Sequence, residues 1–386
     1  MPPIRLGILG TGVMGSIHAR SILDARVPGV ALTAVCDLDP ARTACFPGIP
    51  CFTDAADLFA SGDIEAVLIA TPHDSHPDLA VAALAAGLHV LVEKPIAVDL
   101  AGARRLAEAA AARPNRRSAV MFNQRTDPRY LRLREILRSG ELGPVRRVHW
   151  TATDWFRTQR YYDNGGWRAT WAGEGGGVLI NQAVHQIDLL CWLFGLPDRV
   201  SALCRFGAHH DVEVEDDVTA TLEYADGPFT AVFTTGTGET PGVNRLEIAA
   251  DRGLVTVEGD TLRVLRNHAP ARAWIDTCPD PYARPATDAC AHTFPTRGPQ
   301  HAGILANFAD AIRAGAPLIA PLAEGVASVH LINAILLSAF EDRPVRLPID
   351  PDLYLAHLTA RRAASRYRPT PTDRSNHGNH GEEAGV

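Results

Sequence analysis

Ile4-Arg5-Leu6-Gly7-Ile8-Leu9-Gly10-Thr11-Gly12-Val13-Met14-Gly15 is an apolar run that breaks on a glycine loop and passes straight into a helical pattern. The run reads as a buried strand, and the loop has the spacing Gly-x-Gly-x-x-Gly. The first glycine permits a tight turn, the second lets the backbone approach a pyrophosphate, and the third lets helix and strand pack closely. Free N–H groups at the helix start then hold the phosphates. Asp37 ends the next strand candidate, 22 residues beyond Gly15, where a carboxylate can bond ribose hydroxyls. Gly10, Thr11, Gly12, Val13, Met14 and Asp37 therefore read as a dinucleotide cradle. A carboxylate there favours NAD, because a 2′-phosphate would set like charges together. Arg42 lies near in sequence and keeps NADP as the alternative.

Outward from this loop, short apolar runs alternate with helical patterns as far as Gln124. Strand candidates are Ile4–Gly10, Ala31–Asp37, Ala66–Thr71, His89–Glu93 and Ser118–Phe122. That alternation builds βαβ units and a parallel sheet, so residues 1–124 are expected to form a doubly wound α/β domain. Beyond Gln124 the pattern changes to a helix at Asp127–Ser139, a strand near Val145–Trp155 and a long apolar helix around Gly177–Phe194, followed by strands. Val218, Ala220, Leu222 and Tyr224 alternate with Thr219, Thr221 and Glu223, and an Asp226-Gly227 turn leads back through Phe229, Ala231 and Phe233. This predicts an antiparallel sheet with one covered face, in an α+β domain over residues 125–350 that binds substrate. Trp274–Gln300 has no period and reads as a long loop over a cleft. Two helices follow, at Gly303–Ala314 and Ala323–Phe340. Residues 368–386 read as a disordered tail.

Composition narrows the function classes. A chain of 386 residues with 46% hydrophobic and 21% charged residues can bury the cores of about two domains. The net charge of −7 argues against nucleic acid and anionic membranes as partners. Without an apolar stretch of roughly 18 residues or a signal-peptide pattern, a cytoplasmic address is expected. Seven cysteines without a Cys-x-x-Cys pair read as reduced, mostly buried thiols, and no metal centre is expected. His73-Asp74-Ser75-His76 follows Thr71-Pro72, and His76 is expected in the first turn of a helix beside the cofactor rather than on a metal. His209-His210 and the acidic run Glu213–Asp217 read as solvated loop residues.

Of 37 basic residues, 36 are arginine and one is lysine, Lys94. It stands in Val90-Leu91-Val92-Glu93-Lys94-Pro95, at the carboxyl end of a strand, where open parallel sheets form their ligand crevice. Lysine is a compact point charge whose pKa falls on desolvation, unlike arginine, so it can sit against a hydroxyl and exchange a proton. A second polar feature follows Gly175-Gly176-Gly177. Asn181, His185 and Asp188 fall at i, i+4 and i+7 of an otherwise apolar helix, one face that should line a cavity. His185 is placed to act as general base, Asn181 to orient substrate or imidazole, and Asp188 to hold the other ring nitrogen. Arg157-Thr158-Gln159-Arg160-Tyr161-Tyr162 and Trp167-Arg168 add aromatic faces and guanidinium donors suited to sugar rings and carboxamides.

Together, the glycine loop, Thr71-Pro72, Glu93-Lys94-Pro95, Phe122-Asn123-Gln124-Arg125, Trp167-Arg168 and the glycine triplet leading to Asn181-x-x-x-His185-x-x-Asp188 resemble the Gfo/Idh/MocA oxidoreductases over roughly residues 4–350. The resemblance implies a Rossmann domain joined to an open, mostly antiparallel sheet domain. It further implies pyranoside or cyclitol substrates, and homodimers or homotetramers built through the C-terminal sheet. It assigns Lys94 to the reacting oxygen and His185 to acid/base work. Thr71, Pro72, His76, Glu93, Lys94, Gln124, Trp167 and Arg168 join the cofactor site. Lys94, Arg125, Trp155, Arg168, Asn181 and His185 join the substrate site. Many members of the family carry Asp where this chain has Asn181, so a carboxylate that would favour the imidazolium is missing.

The expected function is hydride transfer between NAD(P) and a ring carbon of a sugar, glycoside or cyclitol. One rival is a glycoside-processing enzyme that oxidises transiently with bound NAD, then eliminates, epimerises or hydrolyses. The other is a dinucleotide-binding regulatory protein, which would need neither Lys94 nor His185.

Overall fold

The computed structural model describes residues 2–164 and 166–367. The tail expected at 368–386 lies outside the described residues. Six strands, β1 (Ile4–Leu9), β2 (Val30–Cys36), β3 (Cys51–Phe52), β4 (Ala66–Ile69), β5 (His89–Val92) and β6 (Ser118–Val120), form a parallel sheet in the order β3-β2-β1-β4-β5-β6. Apart from edge strand β3, its strands are mostly apolar and buried on both faces, as a sheet sandwiched between helices requires. The order reverses beside β1, which opens a crevice at the carboxyl ends of β1 and β4.

The second sheet has nine strands: β7 (Val145–Ala152), β8 (Arg199–Phe206), β9 (Glu215–Tyr224), β10 (Phe229–Gly236), β11 (Asn244–Ala250), β12 (Gly253–Glu258), β13 (Thr261–Asn267), β14 (Thr287–Thr293) and β15 (Val345–Arg346). Their order is β14-β13-β12-β11-β7-β10-β9-β8-β15, antiparallel except where β10 runs parallel to β7. Val218, Ala220, Leu222 and Tyr224 on β9 are buried, and Phe229 pairs with Tyr224 across the expected turn.

Helix Gly325–Glu341 packs on β8, on helix Val184–Phe194 and on helix Leu100–Ala111 of the parallel-sheet half. By length and composition the stretch Leu322–Glu341 could cross a membrane, but 72% of that window is buried inside the protein. Its Asn333, fully buried, accepts from Leu100 N at 2.9 Å and donates to Val98 O at 3.1 Å. The chain just beyond Lys94 is thereby fixed to the seam between the two halves. The seam continues where Val120 N donates to Ala320 O at 3.0 Å.

Several expectations need correction. Trp274–Gln300 is not a loop over a cleft: Ala271–Thr277 is helical and β14 adds an edge strand to the nine-stranded sheet. Almost every β14 side chain is exposed on both faces, so no alternation marks it. The apolar helix begins at Val184, not Gly177, and residues 177–183 are turns. Only Cys36 and Cys204 of the seven free thiols are buried, and Cys45, Cys51 and Cys290 are exposed. The acidic run is not solvated, since Glu215 and Asp216 are buried at the start of β9, and Asp216 accepts from the Ala208, His209 and His210 backbone. Helix Pro351–Ala364 lies beyond the expected boundary at 350.

Candidate active site

The glycine loop leaves β1 with Gly10 at φ +91°, where a Cβ would stand 2.7 Å from Ala70 O on β4's exit; only glycine fits. Gly12 then caps helix Val13–Leu23 with no side chain on the first-turn N–H groups, which are left for an anion. Asp37 is buried beside the loop, accepting from Thr11 N at 2.8 Å and Thr11 Oγ1 at 3.1 Å, while its other oxygen accepts from Asp39 N at 3.1 Å. Arg42 Nη1 is 3.9 Å from Asp37. A bare helix start next to an inward-held carboxylate fits a dinucleotide's pyrophosphate and ribose.

At the carboxyl end of β4, Thr71 Oγ1 and Ser75 Oγ share a hydrogen bond of 2.7 Å. His76 opens helix His76–Ala85, as expected, but its ring is fully buried and both nitrogens are 2.7 Å from carbonyl oxygens, of Thr71 and Pro95. It clamps two turns together and is not open to a cofactor. Glu93, at the end of β5, is also enclosed: His18 Nε2 lies 2.6 Å from one oxygen and Lys94 N donates to the other at 3.1 Å. Burial opposes its ionisation, but the bond to His18 and the charges of His18, His301 and Lys94 overcome this and bring its pKa down to about 2. Gln124 sits in the turn Asn123–Thr126 with its Oε1 buried and unbonded.

Lys94 Nζ donates to the backbone carbonyl of Asn181 at 3.0 Å, crossing from the parallel sheet to the turn ahead of helix Val184–Phe194. His185, in that helix's first turn, is buried, and its Nδ1 has no partner. Burial first, then the Lys94 ammonium and His301, push its imidazole well below the usual pKa, against a smaller pull from Glu93. Lysine and histidine therefore act on each other across the two halves. Asp188 does not hold His185. Both its oxygens take Arg125, from Nε at 2.9 Å and Nη2 at 2.7 Å. Arg125 is 1% exposed and also bonds Ile319 O and Glu324, so it is a structural cation and not open to substrate. Burial works against its charge, and Asp188 and Glu324 outweigh burial.

The turn that presents Asn181 is set by a close approach. A Cβ on Gly177 would lie inside the van der Waals envelope of the Glu215 carbonyl oxygen, while Glu215 Oε1 accepts from Gly177 N at 2.9 Å and Leu179 N at 3.1 Å. Burial lifts the Glu215 carboxyl to about 7. Around the same turn, Arg168 bonds the Tyr161 hydroxyl and stacks on the Tyr161 and Trp167 rings, and Trp167 meets His73 edge-on with centroids 6.2 Å apart. Trp155 is buried with its indole N–H unbonded, under the Arg157 guanidinium. The sequence reading missed Glu174, which is 2% exposed and accepts from Ala169 N and Asn181 Nδ2, each at 2.6 Å. It also missed His18 and His301, whose rings meet at 5.4 Å behind Glu93. No period marks Glu174, and the two histidines, in the helix that the glycine loop opens and in helix Gln300–Ala314, are far in sequence from Glu93. Among the described residues no group of three or more His, Cys, Asp or Glu converges as a metal would need.

Two family models match this chain: an oxidoreductase family with an NAD-binding Rossmann fold over residues 4–121, and a Gfo/Idh/MocA C-terminal domain over 130–256. The inositol 2-dehydrogenase of Pseudarthrobacter chlorophenolicus is 31% identical over 272 residues, 66% of this chain and 76% of the relative. The chain belongs to the Gfo/Idh/MocA family. It is an NAD-binding oxidoreductase. The inositol 2-dehydrogenase of Rhizobium meliloti is 29% identical over 355 residues, covering 89% of this chain and 99% of that one. Against the inositol 2-dehydrogenases of Saccharopolyspora erythraea and Streptomyces avermitilis the match spans 66% and 53% of the relative. Among solved structures, the WlbA dehydrogenase from Chromobacterium violaceum in complex with NADH and UDP-GlcNAcA superposes with a TM-score of 0.76 at 27% identity, covering 91% of this chain and 99% of that one. The fold agrees with the expected pairing of a Rossmann sheet with a mostly antiparallel one.

Proposed function

We propose that the enzyme is an NAD-dependent dehydrogenase or reductase acting on a ring CH–OH of a cyclitol, sugar or glycoside. One observation carries the reading: the chain's only lysine reaches Asn181 O at 3.0 Å, in the turn that leads into His185. A substrate hydroxyl bound between them meets an ammonium and a neutral imidazole at once. His185, held neutral by burial and by Lys94, takes the hydroxyl proton. Lys94 donates to the oxygen and stabilises the negative charge that develops on it. NAD supplies the hydride acceptor at the same carbon.

Gly10, Thr11, Gly12, Val13 and Met14 hold the pyrophosphate in this reading, and Asp37 the ribose. Thr71, Pro72, Glu93, Gln124 and Trp167 border the nicotinamide end. Trp155 and Arg168 offer a ring face and a guanidinium to the substrate, and Asn181 orients it. The relatives' inositol and the sugar nucleotide bound by WlbA support a polyhydroxylated ring as the substrate class. The reading includes a cytoplasmic homodimer or homotetramer built on the nine-stranded sheet, where Leu203 is 61% exposed and Phe206 40%.

A panel of cyclitols, sugars and nucleotide sugars, incubated with NAD and with NADP, tests the reading by reduced-nicotinamide absorbance and product mass. Formation of NADH with a keto product supports it. Product of unchanged oxidation level without NADH contradicts net redox and points to transient use of NAD. Binding of NAD with no conversion of any polyol contradicts the enzymatic reading.

A further inference from the structure

We infer that Glu174 is a positioning residue that fixes the Asn181 side-chain amide with its oxygen toward the cleft, so that the site selects a substrate with a hydrogen-bond donor beside the reacting carbon. The inference rests on the proposed function and adds the chemistry of one substrate position.

The hydrogen-bond geometry leaves little choice. Glu174 is 2% exposed, and its two oxygens face two donors at 2.6 Å, Ala169 N on one and Asn181 Nδ2 on the other. The Ala169 N–H is backbone and cannot exchange roles, so that oxygen must be an acceptor. When Glu174 is ionised, as the neighbouring Arg168 and Lys94 charges favour, its second oxygen also accepts, and the Asn181 amide turns its N–H₂ toward Glu174. Its other N–H points to the Tyr161 hydroxyl oxygen at 3.5 Å, an atom that already accepts from Arg168. Both amide hydrogens are thus directed at acceptors. Asn181 Oδ1 takes no hydrogen bond from any described residue and is not enclosed, as the residue is only half-buried.

That oxygen sits on the residue whose backbone carbonyl receives Lys94 Nζ at 3.0 Å. A ring whose reacting hydroxyl lies against Lys94 and His185 therefore presents its neighbouring substituent to Asn181. An acceptor-only amide oxygen bonds a hydroxyl or amine there, and leaves an acceptor-only substituent unpaired and desolvated. Glu174 makes this selection without touching the substrate. Burial raises the Glu174 pKa, against the opposing pull of Arg168, the Ala169 N–H, the Asn181 amide and Lys94.

The same geometry gives a two-residue test. Glutamine at 174 has one acceptor, which the Ala169 N–H claims. Its N–H₂ then faces Asn181 and forces that amide to turn, exchanging the cleft's oxygen for an N–H. Glutamine at 174 with aspartate at 181 restores an oxygen, because one carboxylate oxygen accepts from the glutamine and the other faces the cleft. The experiment compares the wild type, Glu174→Gln, Asn181→Asp and the double variant at pH 8. Melting temperature needs no substrate. Asn181→Asp sets a second carboxylate in hydrogen-bond contact with the buried Glu174 and loses several degrees, which the double variant recovers. The second readout takes the best polyol of the panel and its deoxyfluoro analogue at the carbon beside the oxidised one. The wild type prefers the hydroxyl by roughly tenfold or more in kcat/KM, mainly through KM. Glu174→Gln loses that preference and the double variant regains it. An unchanged preference in a folded Glu174→Gln protein, or a double variant no more stable than Asn181→Asp, overturns the inference. Failure of the wild type to convert any polyol while it binds NAD defeats the proposed function instead, and the melting cycle still decides the Glu174–Asn181 contact.

Discussion

His185 is a buried imidazole with one unbonded nitrogen, beside an ammonium and with no carboxylate on Asn181 to favour its charged form. Burial, the Lys94 ammonium and His301 depress its pKa, so the base form persists below the usual histidine range. The kcat/KM profile of the oxidation is expected to stay level from pH 8 down past 6.5, with its acid limb lower; a limb at 6.5 or above contradicts the account. At this scale the sequence disclosed Lys94, because one lysine among 37 basic residues requires a special position, and His185, because a polar residue on an apolar helix must face something. Glu174 could not be read, since a carboxylate in a glycine-rich loop looks the same whether buried or solvated. Asp188 misled for a related reason. Spacing placed it on the same face as His185, but Arg125, a longer and always charged partner from a distant turn, takes both its oxygens.

Helix Val184–Phe194 is docked by that pair. Removing Arg125 would leave Asp188, whose carboxyl burial already lifts to about 6, without its partner in the interior, so Arg125→Ala is expected to cost about 3–5 kcal/mol in urea unfolding. A loss below about 1 kcal/mol would show the pair to be no better than a surface ion pair. In the turns ahead of the helix, Gly177 and Leu179 give their N–H groups to Glu215. Gly177→Ala is expected to lower the melting temperature and turnover together, as the Glu215 carbonyl leaves no room for a methyl. Unchanged melting would refute this close packing. Strands of the parallel sheet were legible as continuous apolar runs, and β9–β10 as an alternation about an Asp-Gly turn. Edge strand β14, with almost no buried face, carries no such pattern.

For the whole molecule, burial of charged groups sets the pH response. His73 and His185 both have pKa values well below 6.5, so the neutral forms contribute stability that is complete above that pH and is lost as pH falls below it. Glu93, at about 2 against 4.5 unfolded, contributes about 3 kcal/mol above pH 4.5, lost as pH falls toward 2. Below pH 4.5 these losses act in the same direction, and the melting temperature is expected to drop steeply; a flat response between pH 4.5 and 3 contradicts the buried His18–Glu93 contact. The two-sheet architecture was legible because period-2 and apolar-run patterns separate near Gln124. The seam was not, since helix Gly325–Glu341 shows an apolar surface without naming what covers it. Across that seam the enzyme brings Lys94 to the His185 turn, and the most direct test is Lys94→Ala. NADH formation on the best polyol of the panel and NADH binding by fluorescence are measured on the same preparation. The account predicts turnover lower by about 10²–10³-fold or more with NADH affinity nearly unchanged, and turnover at the wild-type rate would contradict it.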